Sequence, residues 1–341
     1  MASLKYLIKE IKYYKELDGG LKRVAIKFLL TRTPLKKIVN TALYNKIYAH
    51  LIKKKANKIM PHMLTIEDSS ICNARCVMCP YSSMKREKKI MAEETFKKTV
   101  DTILPAEKIK YIKFTGLGEP LCDKDLEKRI EYINKNYDTR IILFTNGGLL
   151  TKERADNLLK LNIFKINFSI NGVKEEYENN MKLNYERTIE NIKYFLKAKK
   201  DLGNKYPLVN ISSVLINEKQ KNDFESFKQE WVNEVDSIIS CLPSNWSGKV
   251  DEKIAKQSFR GRTWACANLW KEIYVNVDGN IVLCDIDYEC EKKFGNINTD
   301  SYAAIKKNLD ETKAQHLKGD FVPNACKNCV SSFDTSVDWW G

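Results

Sequence analysis

The sequence predicts an α/β fold, in which a partial (βα)6 barrel precedes a small domain of a β-hairpin, helix and metal-binding cysteines. From residue 62 onward, short β-rich runs alternate with longer helical stretches, the pattern of a parallel sheet covered by helices. This alternation stops after Pro243, and five of the ten cysteines follow it. The N-terminal segment differs again, because it carries 15 Lys and Arg against three acids. We therefore expect a basic helical leader (1–60), a barrel (61–243), a connector (244–258) and a cysteine-rich domain (259–341).

The predicted barrel strands are rich in β-branched and aromatic residues. They are His62–Glu67, Tyr111–Thr115, Arg140–Thr145, Lys165–Ser169, Val209–Leu215 and Ser237–Leu242. Helical periodicity separates them at Ala92–Leu104, Lys124–Asn136, Lys152–Lys160, Tyr185–Leu202 and Lys219–Val235. In a parallel barrel, functional residues collect at the carboxyl ends of the strands. In the last domain, Trp270–Val277 and Ile281–Leu283 are predicted strands, joined by a hairpin turn at Asp278 and Gly279.

Composition excludes several classes of protein. The 341 residues are 43% hydrophobic and 30% charged, with a formal net charge of +14, which is typical of a globular chain. No run reaches the roughly 18 apolar residues of a membrane-spanning helix, and lysines interrupt the N-terminus where a signal peptide would be apolar. We expect a cytoplasmic protein. In that reducing compartment, clustered cysteines bind metals more often than they form disulfides.

The basic leader holds apolar residues at helical spacing, among them Leu4, Leu7 and Ile11. Two placements are open for it. Its helices pack on the catalytic domain with their lysines in solvent, or they lie on an anionic membrane surface as a peripheral contact. The leader contains no recognisable recognition module, so no nucleic-acid partner is expected.

Three cysteines follow the first predicted strand at C-x3-C-x2-C spacing: Cys72, Cys76 and Cys79. A structural zinc site needs four ligands, and no histidine lies within a few residues of this loop. An iron–sulfur cluster held by three thiolates would instead leave one iron open to a small molecule. The loop therefore predicts an iron–sulfur cluster, with a zinc knuckle completed elsewhere as the alternative.

This cysteine loop resembles the signature of the radical S-adenosylmethionine (SAM) superfamily. The segment TGLGEP at 115–120 is similar to the family's Gly-Gly-Glu-Pro segment, which implies that Gly116, Gly118 and Glu119 contact SAM. Further SAM contacts are implied in the cysteine loop and at later strand ends: Met78, Asn146, Ser169, Asn171 and Leu215. Asn171 stands where the family usually has an acid. Taken alone, the glycines would also fit an ordinary βα turn.

The resemblance implies radical chemistry with a defined set of cofactors. SAM would chelate the open iron of a [4Fe–4S] cluster, and one electron would cleave it to a 5′-deoxyadenosyl radical that abstracts a hydrogen atom. The implied partners are a small polar substrate and a reducing protein such as flavodoxin or ferredoxin. The charge of the leader allows an anionic substrate, either a nucleotide sugar or a lipid-linked glycan.

A second set of cysteines lies in the last domain: Cys266, Cys284, Cys326 and Cys329. The predicted hairpin brings Cys266 and Cys284 to one end, and the C-x2-C pair supplies two more thiolates. The arrangement resembles the SPASM and twitch domains of radical SAM enzymes, in particular those of butirosin-type 2-deoxy-scyllo-inosamine dehydrogenases. Because no cysteine follows Cys329, one auxiliary [4Fe–4S] cluster is implied, two clusters in all. A four-thiolate zinc ribbon is the alternative.

Three cysteines remain: Cys122, Cys241 and Cys290. A free cysteine is commonly a small buried hydrophobe. A thiol near the substrate would matter for an epimerase, which must return a hydrogen atom to the opposite face of a carbon radical, whereas a dehydrogenase needs no such donor. Cys241, near a strand end, and Cys290, near the second cysteine set, are the candidates for that role.

These inferences favour a radical SAM oxidoreductase that oxidises a secondary alcohol of a sugar- or cyclitol-like substrate with help from the auxiliary cluster. A radical epimerase and an enzyme that modifies a ribosomally made peptide are alternatives within the superfamily. From another class, the alternative is a zinc-stabilised nucleic-acid-binding protein, with the basic leader as its phosphate-binding arm.

Overall fold

The computed structural model describes residues 59–248, 250, 265–321, 324–327 and 329, together with single positions between residues 9 and 56. Most of the predicted leader and most of the connector at 244–258 therefore lie outside the described residues. Within the described part of the chain, no helix is long and apolar enough to cross a membrane.

The described strands form one sheet of nine, in the order β6-β5-β4-β3-β2-β1-β7-β8-β9. The strands are β1 (Met63–Ile66), β2 (Tyr111–Phe114), β3 (Arg140–Thr145), β4 (Ile163–Ser169), β5 (Leu208–Val214), β6 (Ser237–Cys241), β7 (Glu272–Val275), β8 (Asn280–Val282) and β9 (Lys293–Asn296). The first six are parallel, as predicted, and β7 pairs in parallel with β1. The last two strands are antiparallel. The C-terminal domain thus extends the sheet of an open partial barrel.

Helices connect the parallel strands. They are α1 (Glu93–Ala106), α2 (Leu126–Asn136), α3 (Lys152–Lys160), α4 (Glu175–Met181), α5 (Tyr185–Asp201), α6 (Glu218–Trp231), α7 (Asn268–Lys271), α8 (Tyr302–Lys318) and α9 (Asn324–Lys327). All five predicted helices are present within a few residues of their predicted ends. One prediction was wrong in detail, because Trp270 and Lys271 belong to α7 and the strand starts only at Glu272. The hairpin turn itself is confirmed, and Gly279 provides its positive φ of 80°.

The two faces of the sheet differ in polarity. Leu64, Ile66 and Phe114 point outward into the main apolar core, where helices cover them. Because successive side chains on a strand alternate between faces, Thr65 and Lys113 point to the inner, concave face. The main apolar core therefore lies between sheet and helices, and the concave face carries polar side chains together with an apolar cluster of Tyr111, Ile142, Phe164 and Leu208 toward its amino end.

Residues of the leader close the amino end of the barrel. Tyr13 is 4% exposed and packs in an apolar cluster with Tyr111, Phe164 and two aliphatic residues of the strands. Nearby, Lys9 Nζ donates to Val235 O at 2.9 Å, and Glu16 pairs with a lysine at the start of β5. The described part of the first leader helix thus packs on the barrel, while a membrane contact of the remaining leader stays a prediction.

Truncation of the Tyr13 side chain should destabilise the protein. We expect Tyr13→Ala to lower the free energy of unfolding by about 3 kcal/mol, because it removes a buried ring and leaves a cavity. Denaturant unfolding followed by circular dichroism measures this change. Ile11→Ala is the matched control, because Ile11 is 36% exposed and its truncation should cost little. Equal effects of the two substitutions would contradict the packing of the leader on the barrel.

Candidate radical site and cluster sites

The loop with the first three cysteines leaves β1 at the carboxyl edge of the sheet. The backbone amides of Arg75 and Val77 donate to Met181 O and Asn180 O, at 3.0 and 2.9 Å, so the end of α4 holds the loop. The amide of Cys79 turns back to Cys76 O at 3.1 Å. The loop is therefore fixed by backbone hydrogen bonds that do not depend on its thiols.

The three thiols line one partly open space. Cys72, Cys76 and Cys79 are each of intermediate exposure, yet the surrounding protein raises their pKa values, that of Cys72 to about 12. Cys72 and Cys79 both raise the pKa of Cys76 further, as neighbouring thiolates would. The amide of Ala74 lies 3.4 Å from Cys72 Sγ. Such a set favours a metal centre that takes up the thiolate charges, and metal binding would release their protons.

The second cysteine set also comes together. Cys266 and Cys329 both raise the pKa of the Cys284 thiol, although these residues lie in separate segments of the chain. Cys326 is on α9, and its carbonyl accepts from the amide of Cys329 at 3.4 Å. The structure thus brings Cys266, Cys284 and Cys329 together, with Cys326 held beside Cys329 by a backbone hydrogen bond, while their role as ligands of an iron–sulfur cluster stays a prediction.

Among the side chains that the structure describes, no group of three His, Cys, Asp or Glu residues has the spacing for one metal ion. In a [4Fe–4S] cluster each thiolate binds a different iron, so the ligands stand farther apart.

The segment after β2 is built around Glu119. Its carboxylate is 3% exposed and accepts from the hydroxyl of Thr145 at 2.5 Å and from the amide of Asn146 at 2.7 Å. Burial raises the pKa of Glu119. Gly118 packs directly on the strand-end backbone, since an added Cβ would lie 1.9 Å from Ser69 O. Only glycine fits there, and the segment is locked to the ends of β1 and β3.

The other predicted SAM contacts lie around the same edge. Asn146 donates from Nδ2 to Asn73 Oδ1 in the cysteine loop at 2.8 Å. Asn171 accepts from the amide of Val214 at 2.8 Å, and its Nδ2 lies 3.9 Å from Met78 Sδ. Ser169 ends β4. Leu215 follows β5, and its amide donates to Cys241 O at 3.0 Å. The structure thus brings all of them to the carboxyl edge, while their contact with SAM stays a prediction.

The three remaining cysteines have different surroundings. Cys122 is of intermediate exposure beside the cysteine loop, where the amide of Asn73 donates to its sulfur. Cys241 is exposed and ends β6. Cys290 is 4% exposed in an apolar cluster with Tyr274 and Val282, and it has a left-handed φ of 56°.

Comparison with protein families matches residues 66–229 to the radical SAM superfamily and residues 266–330 to an iron–sulfur cluster-binding domain, SPASM. The chain is a radical SAM protein with a SPASM domain. The predicted fold class is thereby confirmed, as are SAM and [4Fe–4S] clusters, including an auxiliary one, as the cofactors.

Curated relatives match parts of this radical SAM protein. The GTP 3′,8-cyclase of Clostridium botulinum is 32% identical over 130 residues, 37% of this chain and 39% of that protein. A tungsten-containing aldehyde ferredoxin oxidoreductase cofactor-modifying protein of Pyrococcus furiosus is 29% identical over 161 residues, 46% of this chain and 45% of that protein. The match thus spans less than half the length of these two relatives.

Solved structures show the shared fold over most of the chain. BtrN in complex with AdoMet and 2-DOIA gives a TM-score of 0.55 at 21% identity, over 80% of this chain and 94% of that chain. Streptococcus suis SuiB bound to precursor peptide SuiA gives a TM-score of 0.59 at 15% identity, over 90% of this chain and 78% of that chain. The predicted resemblance to butirosin-type enzymes is confirmed for the fold.

The sequence analysis missed the charged residues of the inner face. Glu67 and Arg86 form a buried ion pair, and Lys113 pairs with Glu272 at 2.6 Å. Asp285 was also missed. Strand alternation could have found Lys113, because a lysine between Ile112 and Phe114 must lie on the face opposite the core.

Iron analysis tests the assignment of the two cysteine sets. We expect about eight irons per chain after anaerobic reconstitution, and about four in the variant Cys72→Ala/Cys76→Ala/Cys79→Ala, since each set holds one [4Fe–4S] cluster. Metal and sulfide analysis provides the measurement. Cys122→Ala is the matched control and should keep all eight irons. An unchanged iron content in the triple variant would refute the assignment.

Proposed function

We propose that this radical SAM enzyme oxidises a secondary alcohol on a small polyhydroxylated substrate such as a sugar or a cyclitol. The observation that carries the proposal is the polar inner face of the open barrel, which differs from an apolar pocket for a hydrophobic substrate. A reducing protein such as flavodoxin or ferredoxin is proposed as the electron source.

Lys113, Glu272 and Asp285 form the charged part of this inner face. Lys113 Nζ lies 2.6 Å from Glu272 Oε1, which also accepts from the hydroxyl of Thr65. Asp285 is exposed, and yet the protein around it raises its pKa, first by burial and then by the charge of Glu272.

Amide and hydroxyl groups form a second polar patch of the inner face, on β4 and β5. Asn167 Nδ2 donates to Ser212 Oγ at 2.8 Å, and Asn210 donates to Asn167 Oδ1. Register aligns Asn167 with Asn210 on β4 and β5. Neutral donors and acceptors of this kind match the hydroxyl groups of a polyol.

The position of the charged group supports a substrate between the two cysteine sets. The loop of Cys72–Cys79 follows the carboxyl end of β1, and Lys113 lies on the neighbouring strand β2. Because β8 runs antiparallel to β7, Cys284 lies toward the amino end of β7, where Glu272 begins. Asp285, next to Cys284 in the chain, interacts with Glu272.

When bound, SAM and the clusters supply the radical that removes a hydrogen atom and an acceptor for the second electron of the substrate. In this proposal the inner-face residues orient the reacting carbon by hydrogen bonds. Glu272 offers a carboxylate to take the hydroxyl proton. The carboxylates of Glu272 and Asp285 face the single ammonium group of Lys113. The reacting end of the substrate is therefore neutral or cationic in this proposal, and an anionic group of the substrate would bind elsewhere.

Deuterium transfer tests this proposal. We expect 5′-deoxyadenosine to acquire deuterium from at least one carbon-deuterated sugar, cyclitol or aminocyclitol, with one SAM consumed per ketone formed. Mass spectrometry measures both products. Transfer from a peptide substrate, and from no polyol in the panel, would support the peptide-modifying alternative and overturn the proposal.

Lys113→Met should weaken substrate turnover while leaving unproductive SAM cleavage in place. Its ammonium group is lost from the inner face, and Glu272 loses its ionic partner, so we expect at least a tenfold lower kcat/KM for the deuterated substrate. 5′-Deoxyadenosine formed without substrate gives the reference rate. Lys110→Met is the control, because Lys110 is exposed three residues earlier. A normal kcat/KM in Lys113→Met would remove Lys113 from the substrate site.

Epimerisation stays as a second candidate, because Cys241 is exposed and its register with Val214 places it on the inner face. Under the proposed alcohol oxidation no thiol returns a hydrogen atom, so Cys241→Ala should retain at least half of the turnover. Product formation and 5′-deoxyadenosine are measured together. Uncoupled 5′-deoxyadenosine without product in this variant would favour the epimerase.

A further inference from the structure

A buried ion pair joins segments that are distant in the sequence. Glu67 directly follows β1 and its side chain has no exposed surface, while that of Arg86 is 12% exposed. Both terminal nitrogens of the guanidinium donate to the carboxylate, with Arg86 Nη1 at 2.8 Å from Glu67 Oε2. A bidentate pair of this kind fixes the relative orientation of the two groups.

Glu67 supports the glycine-rich segment after β2. The amide of Leu117 donates to Glu67 Oε1 at 3.2 Å. A Cβ added at Gly116 would lie only 2.5 Å from Glu67 Cγ. The Glu67 side chain therefore fills the space beside Gly116 and supplies the acceptor for the next amide.

Both partners also contact the SPASM domain. Arg86 Nε donates to Tyr288 O at 2.7 Å, and the amide of Arg86 donates to the Glu289 carboxylate at 3.2 Å. The amide of Glu67 donates to Val275 O at 2.9 Å. The pair thus connects the glycine-rich segment to β7 and to the loop before β9.

We propose that the Glu67–Arg86 pair is a positioning element that seats the segment Gly116–Pro120 against the SPASM domain, so that SAM affinity depends on contacts across the two domains. Neither residue needs to touch SAM for this role. The inference concerns SAM binding and is independent of the substrate class proposed above.

The alternative is that the pair only stabilises the fold, and the two roles respond differently to substitution. Removing one partner leaves an uncompensated buried charge, which destabilises the protein in either case. Replacing both with apolar residues, as in Glu67→Leu/Arg86→Met, removes that penalty. The amide of Leu117 still lacks its acceptor in the double variant, so a positioning role predicts that SAM affinity stays low when stability returns.

Two measurements on the reconstituted full chain test the proposal without turnover. Anaerobic equilibrium dialysis gives the Kd of SAM, and hydrogen exchange with mass spectrometry reports the peptide that contains Leu117. We expect Arg86→Met to raise the Kd about tenfold and to speed exchange in this peptide about tenfold. The double variant should recover its unfolding midpoint and keep the raised Kd.

Lys89→Gln is the matched control. Lys89 joins the same two domains through Asp278 at 2.6 Å, but both side chains are about 40% exposed and neither contacts the glycine-rich segment. An exposed pair contributes little. Kd and exchange in Lys89→Gln should remain within twofold of the parent protein.

The proposal fails if Arg86→Met, with normal iron content, keeps both Kd and exchange within twofold. It also fails if the double variant recovers SAM affinity together with stability, because the pair would then be structural only. Should Arg86→Met lose its clusters, Arg86→Lys replaces it. Lysine keeps the charge but cannot form the bidentate contact, and we expect about a threefold rise in Kd; no rise would overturn the proposal.

Discussion

The parallel pairing of β7 with β1 is the contact on which the arrangement of this molecule depends. It aligns Met63 with Glu272 and Ile66 with Val275, so the SPASM domain continues the sheet of the radical SAM domain. β8 then runs antiparallel and returns the chain toward the amino end of β7 before it reaches Cys284. The polar side chains of β1, β2 and β7 thereby lie side by side on one inner face, and Cys284 follows two residues after β8.

Charges inside such a sheet are costly unless they are paired. Here the fully buried Glu67 is paired with Arg86, and Lys113 with Glu272, each across two segments of the chain. Well-packed apolar residues would stabilise the fold at least as well as these pairs. We therefore explain these two ion pairs by the proposed roles in positioning the glycine-rich segment and binding substrate. Paired groups hold their orientation without water, which suits a reaction that must exclude water.

Sequence patterns predicted the sheet and both cysteine sets because their determinants are local. Strand alternation, helix periodicity and short cysteine spacings each lie within about 20 residues. A helix was predicted for the last domain without bounds, yet Ser301 caps the start of α8 and Gly319 ends it in the left-handed conformation, so local signals for its bounds were available. The ion pairs are a different case. Lys113 and Glu272 meet only because β1 lies between β2 and β7, and no local pattern contains that neighbourhood.

The structure places Cys241 and Cys290, the two candidate hydrogen donors from the sequence, in different surroundings. A hydrogen donor must reach the substrate radical, and Cys241 ends β6, exposed, on the inner face. Cys290 is packed between Tyr274 and Val282, and its sulfur accepts from the side chain of Asn276. It stands near the Glu67–Arg86 pair, where it helps to fill the space beneath the loop before β9. A donor role for Cys290 would require that packing to open, which leaves Cys241 the better placed of these two thiols.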